Sequence, residues 1–195
     1  MMAEKSITNK YQSRRKDKKN IRKLIFCRRK EISDIEIVRK SKQIFRKVCA
    51  REEYMKAQTV YTYIDFNREV MTRKFICQAW DDGKQVGVPK VIKNELIFYV
   101  LEDFSQLEHG YFGIEEPVFG EEVSHDDALM IIPGVAFDPY RQRIGYGQGF
   151  YDRYLSVHKG LKTIAVAFDF QVLDRVPAEE TDIRPSLLIT ESRTY

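Results

Sequence analysis

The stretch Leu129–Leu155, LMIIPGVAFDPYRQRIGYGQGFYDRYL, predicts a strand, a turn, a loop and a helix in succession. Its first four residues are apolar and Pro133-Gly134 follows, so we expect a buried strand that ends in a turn. The run GYGQG at Gly145–Gly149 places three glycines directly before a helix predicted to begin at Phe150. Glycine lets backbone N–H groups approach an anion, and a helix N-terminus adds roughly half a positive charge. We call Gly145–Gly149 the glycine-rich loop and predict that it binds phosphate.

Side chains on both sides of the glycine-rich loop suit a nucleotide. Arg143 precedes the loop and can hold two phosphate oxygens with its guanidinium group. Tyr146, Phe150 and Tyr151 place aromatic rings where a planar ligand would lie. Asp152, in the first helical turn, can hold a Mg²⁺ ion on the phosphates. The spacing matches neither the dinucleotide pattern G-x-G-x-x-G nor the P-loop, so a glycine-rich turn without a ligand is the alternative interpretation.

The runs PGVAFD (Pro133–Asp138) and RIGYGQGFYDRYL (Arg143–Leu155) resemble a known family signature. It is PG-x-x-FD-x-x-G-x-RLG-x-G-x-G-[YF]-YD, the signature of 5-formyltetrahydrofolate cyclo-ligase, also called methenyltetrahydrofolate synthetase. The resemblance implies ATP-dependent cyclisation of 5-formyltetrahydrofolate to 5,10-methenyltetrahydrofolate, with ADP and phosphate released and Mg²⁺ on the nucleotide. The formyl oxygen would be phosphorylated, N10 would attack the activated carbon, and phosphate would leave.

The resemblance also implies four sets of site residues. The ATP-binding set is Lys18, Arg22, Arg143, Ile144, Gly145, Tyr146, Gly147, Gln148, Gly149, Phe150 and Tyr151. The substrate-binding set is Ile64, Glu69, Tyr146 and Phe150. The catalytic set is Arg143, Tyr146 and Phe150, and the metal ligand is Asp152.

Two of these assignments lie outside the signature. Lys18 and Arg22 are four residues apart on a predicted helix, so they project from the same side, and they resemble the K-x-x-x-R that opens the family. The alternative is a solvated basic face. Glu69–Thr72 (EVMT) resembles the family's E-[IV]-x-T, in which the Glu contacts folate. A carboxylate can accept the two adjacent N–H donors of a pterin edge, although Glu is also favourable in a first helical turn. Tyr111–Pro117 resembles a segment that lines the pterin pocket.

Composition indicates a single globular domain. The chain has 195 residues, of which 43% are hydrophobic and 12% aromatic. No run of about eighteen apolar residues suggests a membrane span, and the basic N-terminus lacks the apolar stretch of a secretory signal. The three cysteines are an odd number at wide spacings without a C-x-x-C pair, which favours a reducing cytoplasm.

Charge is concentrated at the N-terminus. The net charge is +4, but residues 1–30 carry 12 Lys/Arg against 2 Asp/Glu, which leaves −6 for residues 31–195. We predict a basic, disordered extension at residues 1–16 and a single catalytic domain at 17–195. The extension could bind nucleic acid, but a solvated tail is favoured because no RNA-binding motif accompanies it. The expected partner is therefore the small-molecule folate, with or without a polyglutamate tail, and not a membrane; the expected state is a monomer.

The order of elements predicts an α/β fold. Ser33–Glu36 is a capping box that should open a helix. Strands are expected at Thr59–Ile64, Gln85–Pro89, Leu96–Leu101, Thr163–Ala167 and Leu187–Glu191. Strands that alternate with helices favour a mostly parallel sheet flanked by helices, and the resemblance implies a three-layer Rossmann-like architecture.

Three positions depart from the family pattern. Arg141 occupies the place of a turn glycine, where a positive φ would cost about 1 kcal/mol. Ser186 stands where the family commonly has an Asp that serves the metal, and Gln148 replaces a Lys or Gly. Arg141 and Ser186 leave open a divergent nucleotide-binding paralogue without cyclo-ligase activity. The N-terminal charge leaves open a basic nucleic-acid-binding module.

Overall fold

A computed structural model of the chain describes residues 2–110 and 113–195, with side chains from residue 16 onward. Tyr111 and Phe112 of the predicted pterin-lining segment lie outside the described residues. The helices are α1 (Met2–Glu31), α2 (Asp34–Cys49), α3 (Glu52–Lys56), α4 (Arg73–Asp81) and α5 (Phe150–Val157). The strands are β1 (Thr59–Tyr61), β2 (Gln85–Ile92), β3 (Glu95–Val100), β4 (Leu107–His109), β5 (Glu115–Pro117), β6 (Leu129–Ile132), β7 (Ala136–Phe137), β8 (Arg143–Ile144), β9 (Lys162–Val166) and β10 (Leu187–Ile189).

A six-stranded sheet in the order β10-β9-β6-β1-β2-β3 forms the middle layer. Its pairs are parallel except for the antiparallel pair β2–β3 at one edge. β4–β5 and β7–β8 are separate two-stranded antiparallel ribbons. The predicted α/β fold with a mostly parallel sheet is confirmed.

Helices cover both faces of the sheet. Apolar residues of α2 and Phe75 of α4 pack with Val60 and Ile131 on one face. Leu155 of α5 packs with Met130 on the other face. α1 lies against the β7–β8 ribbon instead, where its Ile25 is fully buried. This places the basic helix next to the loop that follows β6.

Two local predictions are confirmed at the helix starts. Ser33 caps α2, since its hydroxyl accepts a hydrogen bond from the Glu36 N–H at 3.3 Å. The helix predicted at Phe150 begins there, with Gly149 as its N-cap residue.

The N-terminal helix differs from the prediction. It begins at Met2, whereas the sequence predicted a disordered extension and a helix only from Asp17. Residues 2–16 contain neither Gly nor Pro, so nothing in them interrupts a helix. The division between an extension at 1–16 and a catalytic domain at 17–195 remains a prediction.

The edge hairpin was only partly predicted. The strand expected at Gln85–Pro89 runs on to Ile92 and pairs with β3 through a turn at Lys93-Asn94. Both turn residues have positive φ, 49° and 68°, in the manner of a type I′ turn. The turn was missed because it lacks the glycine that usually marks it. β1 is shorter than predicted and ends at Tyr61 rather than Ile64.

Arg141 adopts a positive φ in the place where the family signature has a turn glycine. Its φ is 63°, in the left-handed region that favours glycine. The side chain offsets part of this cost, because its Nε donates to the Pro185 carbonyl at 3.2 Å. Among the described residues, no helix combines the length and apolarity needed to cross a bilayer.

Candidate functional site

The candidate site lies at the point where the strand order of the sheet reverses. The chain passes from β1 to β2 on one side, whereas β6, β9 and β10 extend the sheet on the other side of β1. Crevices of this kind, beyond the carboxyl ends of parallel strands, bind ligands in open α/β sheets. Glu69 follows β1, and Gly134 with the glycine-rich loop follows β6.

The glycine-rich loop has a backbone that favours glycine at two positions. Gly147 has φ 117° and Gly149 has φ 68°, which L-residues rarely adopt. A Cβ at Gly147 would also lie 3.4 Å from Nη2 of Arg22. The predicted loop therefore comes close to a cation from α1.

Arg22, predicted to bind ATP, lies at the glycine-rich loop. Its Nε donates to the Gly145 carbonyl at 2.8 Å, and partial burial lowers the pKa of its guanidinium group. Lys18, one turn earlier, instead donates to Glu179 and Asp182, both at 3.0 Å. Only Arg22 of the predicted pair therefore contacts the loop, and Lys18 ties α1 to the 179–182 segment.

Arg143 lies beneath the loop and is bound to the predicted metal ligand. Its Nη2 is 2.9 Å from Oδ1 of Asp152, and its Nη1 donates to the Pro133 carbonyl at 3.4 Å. The side chain is 6% exposed, and Nε is buried without a partner among the described residues. Oδ1 of Asp152 also accepts the Ile183 N–H at 3.1 Å. Arg143 thus holds the start of α5 against the end of β6.

Arg29 is a site residue that the sequence analysis missed. Its side chain is 1% exposed and lies between the ends of β1 and β6. Nη1 donates to the Tyr146 hydroxyl at 2.9 Å, and Nη2 donates to the Gly134 carbonyl at 3.0 Å. Nη2 is also 3.7 Å from Oε1 of Glu69. Arg29 could have been found by its position, because Arg22, Ile25 and Arg29 lie on one face of a 3.6-residue helix.

Glu69 is a buried carboxylate beside the loop. It is 5% exposed, and its oxygens accept the Tyr146 hydroxyl at 3.1 Å and the Phe66 N–H at 3.2 Å. Burial raises its pKa to about 7, although the nearby Arg29 acts in the opposite direction. A group with this pKa changes charge near neutral pH, which is typical of functional carboxylates.

Two aromatic rings pack against Tyr146, whose hydroxyl contacts Arg29 and Glu69. The Tyr146 ring stacks on Phe26 at 5.8 Å and tilts against Phe66 at 6.2 Å. Tyr146 is 42% exposed, so its ring faces solvent while its hydroxyl contacts buried groups. Phe26 and Phe66 were not predicted as site residues, and no local motif marks them. Together the three rings form a surface on which a flat heterocycle can stack.

The other predicted residues lie around this centre. Phe150 is half-buried, and the Arg153 guanidinium lies 5.2 Å from the centre of the Phe150 ring. Phe150 and Tyr151 both pack against the core cluster that includes Met130 and Leu155. Ile144 is buried against α1. Ile64 is 4% exposed and packs with Ile76 and Val86, so its predicted substrate contact is not apparent from its position. Gln148 is exposed, and its carbonyl accepts a hydrogen bond from Arg153.

A sequence profile of the 5-formyltetrahydrofolate cyclo-ligase family matches residues 14–191. This chain belongs to that family. The match includes the glycine-rich loop, Arg22, Arg29 and Glu69, which the fold brings together.

Individual members of the family are similar over most of the chain. The 5-formyltetrahydrofolate cyclo-ligase of Escherichia coli K12 is 35% identical over 148 residues, which cover 71% of this chain and 81% of that protein. A probable 5-formyltetrahydrofolate cyclo-ligase of Caenorhabditis elegans is 28% identical over 180 residues, or 84% of this chain and 87% of that one.

Solved structures in the family share the fold. The NMR structure of Aquifex aeolicus 5,10-methenyltetrahydrofolate synthetase superimposes with a TM-score of 0.81 at 34% identity, over 91% of both chains. The Mycoplasma pneumoniae 5,10-methenyltetrahydrofolate synthetase has a TM-score of 0.73 at 26% identity, over 90% of this chain and 99% of that one.

The residues present fit a nucleotide with a weakly held metal ion. Among the described residues, no cluster of three His, Cys, Asp or Glu side chains forms a metal site. Mg²⁺ does not need one, since it is often held by one or two carboxylates together with substrate phosphates and water. Asp152 can supply that carboxylate through Oδ2, for which the described residues provide no hydrogen bond.

Glu69 should make the stability of the protein depend on pH. Because its folded pKa of about 7 lies above its ordinary 4.5, the folded state keeps this proton to higher pH than the unfolded chain. The penalty for burying the carboxylate is therefore absent below the unfolded pKa, grows as pH rises through this window, and is complete above the folded pKa. Across this window the unfolding free energy of the wild type should therefore fall by roughly 3 kcal/mol, and we expect Glu69→Gln to remove this fall. Urea unfolding of both proteins at a series of pH values measures it, and parallel pH profiles would contradict it.

Proposed function

We propose that this chain catalyses the ATP-dependent cyclisation of 5-formyltetrahydrofolate to 5,10-methenyltetrahydrofolate, releasing ADP and phosphate. Besides family membership, one structural observation supports this proposal. Tyr146 belongs to the glycine-rich loop, yet its hydroxyl contacts both Arg29 and Glu69. A phosphate on the loop and a pterin on Glu69 would therefore lie on two sides of one residue.

The nucleotide would be held by α1 and the glycine-rich loop. N–H groups of the loop and of the first turn of α5 would bind the terminal phosphates, with Arg22 adding a positive charge. Asp152 would hold Mg²⁺, which when bound neutralises charge on the phosphates. Arg143 would keep Asp152 in place through their 2.9 Å contact, so we assign it to positioning instead of direct phosphate binding.

The folate would be held by Glu69 and the aromatic residues. The carboxylate of Glu69 would accept two N–H bonds from the pterin edge, and Tyr146 would stack on the ring. This arrangement would point the formyl oxygen at the γ-phosphorus. The oxygen would displace ADP from the γ-phosphorus. N10 would then bond to the formyl carbon and lose its proton to water, and phosphate would leave with the former formyl oxygen. Phosphoryl transfer of this kind depends mainly on alignment and charge neutralisation.

The role of Arg143 leads to a prediction about stability as well as activity. Arg143→Ala should remove the partner of Asp152 and leave a cavity, which would lower unfolding free energy by about 2–3 kcal/mol and abolish turnover. The loss of stability is expected because the Arg143 side chain is only 6% exposed. Arg143→Met combined with Asp152→Asn should recover most of the stability but none of the activity. Denaturant unfolding with a turnover assay tests this, and an active double variant would contradict it.

We further propose a monomer that acts in the cytoplasm. All three cysteines, Cys27, Cys49 and Cys77, are free thiols in the structure, which is compatible with a reducing compartment. The polyglutamate tail of the folate would extend from the aromatic surface towards solvent.

Absorbance of the methenyl product tests the proposed activity. Purified protein with ATP, Mg²⁺ and 5-formyltetrahydrofolate should produce the chromophore at a rate that requires all three. The absence of product, with ATP still bound, would favour the divergent paralogue that the departures at Arg141 and Ser186 left open. Ser186 itself hydrogen-bonds with Thr163, with hydroxyls 3.3 Å apart.

A further inference from the structure

A groove outside the candidate site runs between α2 and α4. It has a volume of about 1040 Å³ and is lined by residues of both helices and of the α3 region. Its floor includes Phe45 and Phe75, whose rings stack at 4.3 Å with planes 12° apart. Small-molecule sites typically have volumes of about 300–1,000 Å³, so the groove is large enough for a ligand.

Exposed apolar side chains form part of the groove wall. Val38 is 40% exposed, Met55 is 62% exposed and Met71 is 37% exposed. Apolar side chains gathered around a cavity are more typical of a binding surface than scattered single ones. The two methionines have flexible, polarisable side chains that adapt to ligands of different shape.

Positive charge surrounds the same groove. Lys42 and Arg46 lie one turn apart on α2, and Lys74 lies on α4. All three are exposed, and none has an ion pair or side-chain hydrogen bond with another described residue. The acid among the groove residues, Asp82, already accepts the Tyr54 hydroxyl at 2.6 Å. The groove residues therefore include five cationic groups and one acid, because Arg73 and Lys84 line the groove as well.

The groove is separate from the folate and nucleotide site. The segment from Glu69 to Met71 divides them, since Glu69 faces the site, Met71 lines the groove and Val70 is 2% exposed between them. None of the residues assigned above to ATP, folate or metal lines the groove. The groove therefore lies outside the positions proposed above for the nucleotide, the pterin and the metal.

We propose that this groove binds a small amphipathic anion. Its aromatic or alkyl body would lie on Phe45 and Phe75, and its phosphate, sulfonate or carboxylate group would lie among Lys42, Arg46 and Lys74. Charge complementarity favours this occupant. A neutral ligand would form no ion pair with these three cations. A second copy of the chain docked groove to groove would bring like charges together.

A fluorescent probe tests the proposal on the full-length protein. The probe is 1-anilinonaphthalene-8-sulfonate, and its uncharged analogue N-phenyl-1-naphthylamine lacks only the sulfonate. We expect saturable binding of one sulfonate probe per chain, undisturbed by saturating ATP. Lys42→Gln combined with Arg46→Gln should weaken it about tenfold while affecting the uncharged analogue less than about twofold. Lys74→Gln is a second variant that should act in the same direction.

A matched control removes the same charge elsewhere. Arg39 and Lys159 are exposed and do not line the groove, so Arg39→Gln with Lys159→Gln should leave probe binding unchanged. Four results would overturn the proposal: no saturable binding, equal weakening of both probes by the groove variant, equal weakening by the control, or displacement of the probe by ATP. Self-association in analytical ultracentrifugation that competes with the probe would also overturn it, in favour of a second copy.

Discussion

Replacing Arg22 by Gln is expected to reduce kcat/KM for ATP by about 30- to 150-fold, as the loss of a charge-assisted phosphate contact of roughly 2–3 kcal/mol implies. Arg22 already lies at the loop, with its Nε 2.8 Å from the Gly145 carbonyl. Its guanidinium is only partly buried, so the substitution leaves no large cavity and should lower unfolding free energy by less than about 1 kcal/mol. Initial rates at varied ATP and saturating folate measure the effect.

Two companion variants separate charge from geometry. Lys23→Gln removes one charge from an exposed neighbour of Arg22 on α1 and should change kcat/KM for ATP by less than about twofold. Arg22→Lys keeps the charge but cannot donate through Nε while also reaching a phosphate, so its activity should fall between the wild type and Arg22→Gln. The assignment of Arg22 would fail if Arg22→Gln kept wild-type kinetics for ATP, or if Lys23→Gln lost as much activity.

Glu69→Gln is expected to raise KM for 5-formyltetrahydrofolate by about 30- to 100-fold, because an amide cannot accept two parallel N–H bonds as a carboxylate does. KM for ATP should change by less than about threefold, since ATP would bind on the other side of Tyr146. In the wild type, folate affinity should improve as pH rises through the Glu69 pKa of about 7, and this dependence should be lost in the variant. Steady-state kinetics between pH 6 and 8 test both effects.

The control for this variant is Glu53→Gln. Glu53 pairs with Arg51 at 3.2 Å in the α3 region, away from the candidate site, so its loss should leave both KM values unchanged. Equal losses for folate and ATP in Glu69→Gln would argue that Glu69 only supports the loop through Tyr146, and would remove it from the pterin contact.

The parts of the fold that the sequence predicts are those with local causes. Ser33 and Glu36 predicted the start of α2 because a hydroxyl and an N–H three residues apart stabilise a helix end without help from the rest of the chain. The glycine-rich loop was predicted because glycine adopts positive φ most readily, as Gly147 and Gly149 do. The turn at Lys93-Asn94 was missed because it contains no glycine. Asn94 tolerates positive φ, but Lys93 does not favour it, and the pairing of β2 with β3 holds both residues there.

The sequence predicted many of the side chains at the candidate site but not the contacts between them. Arg29 was treated as one charge among many at the N-terminus, and only the packing of α1 against β7 and β8 shows that it is buried between Glu69 and Gly134. Arg143 was predicted to face the phosphates, but its nine-residue separation from Asp152 gave no indication that the two side chains would pair. Contacts of this kind depend on tertiary packing, which the local pattern does not contain.

The most direct test of the account is a crystal structure with a non-hydrolysable ATP analogue, Mg²⁺ and 5-formyltetrahydrofolate bound together. We predict phosphate oxygens about 2.7–3.2 Å from backbone N–H groups of the glycine-rich loop and from the Arg22 guanidinium, with the pterin stacked on Tyr146 and hydrogen-bonded to Glu69. A structure in which the loop stays empty while both ligands bind elsewhere on the chain would contradict the account.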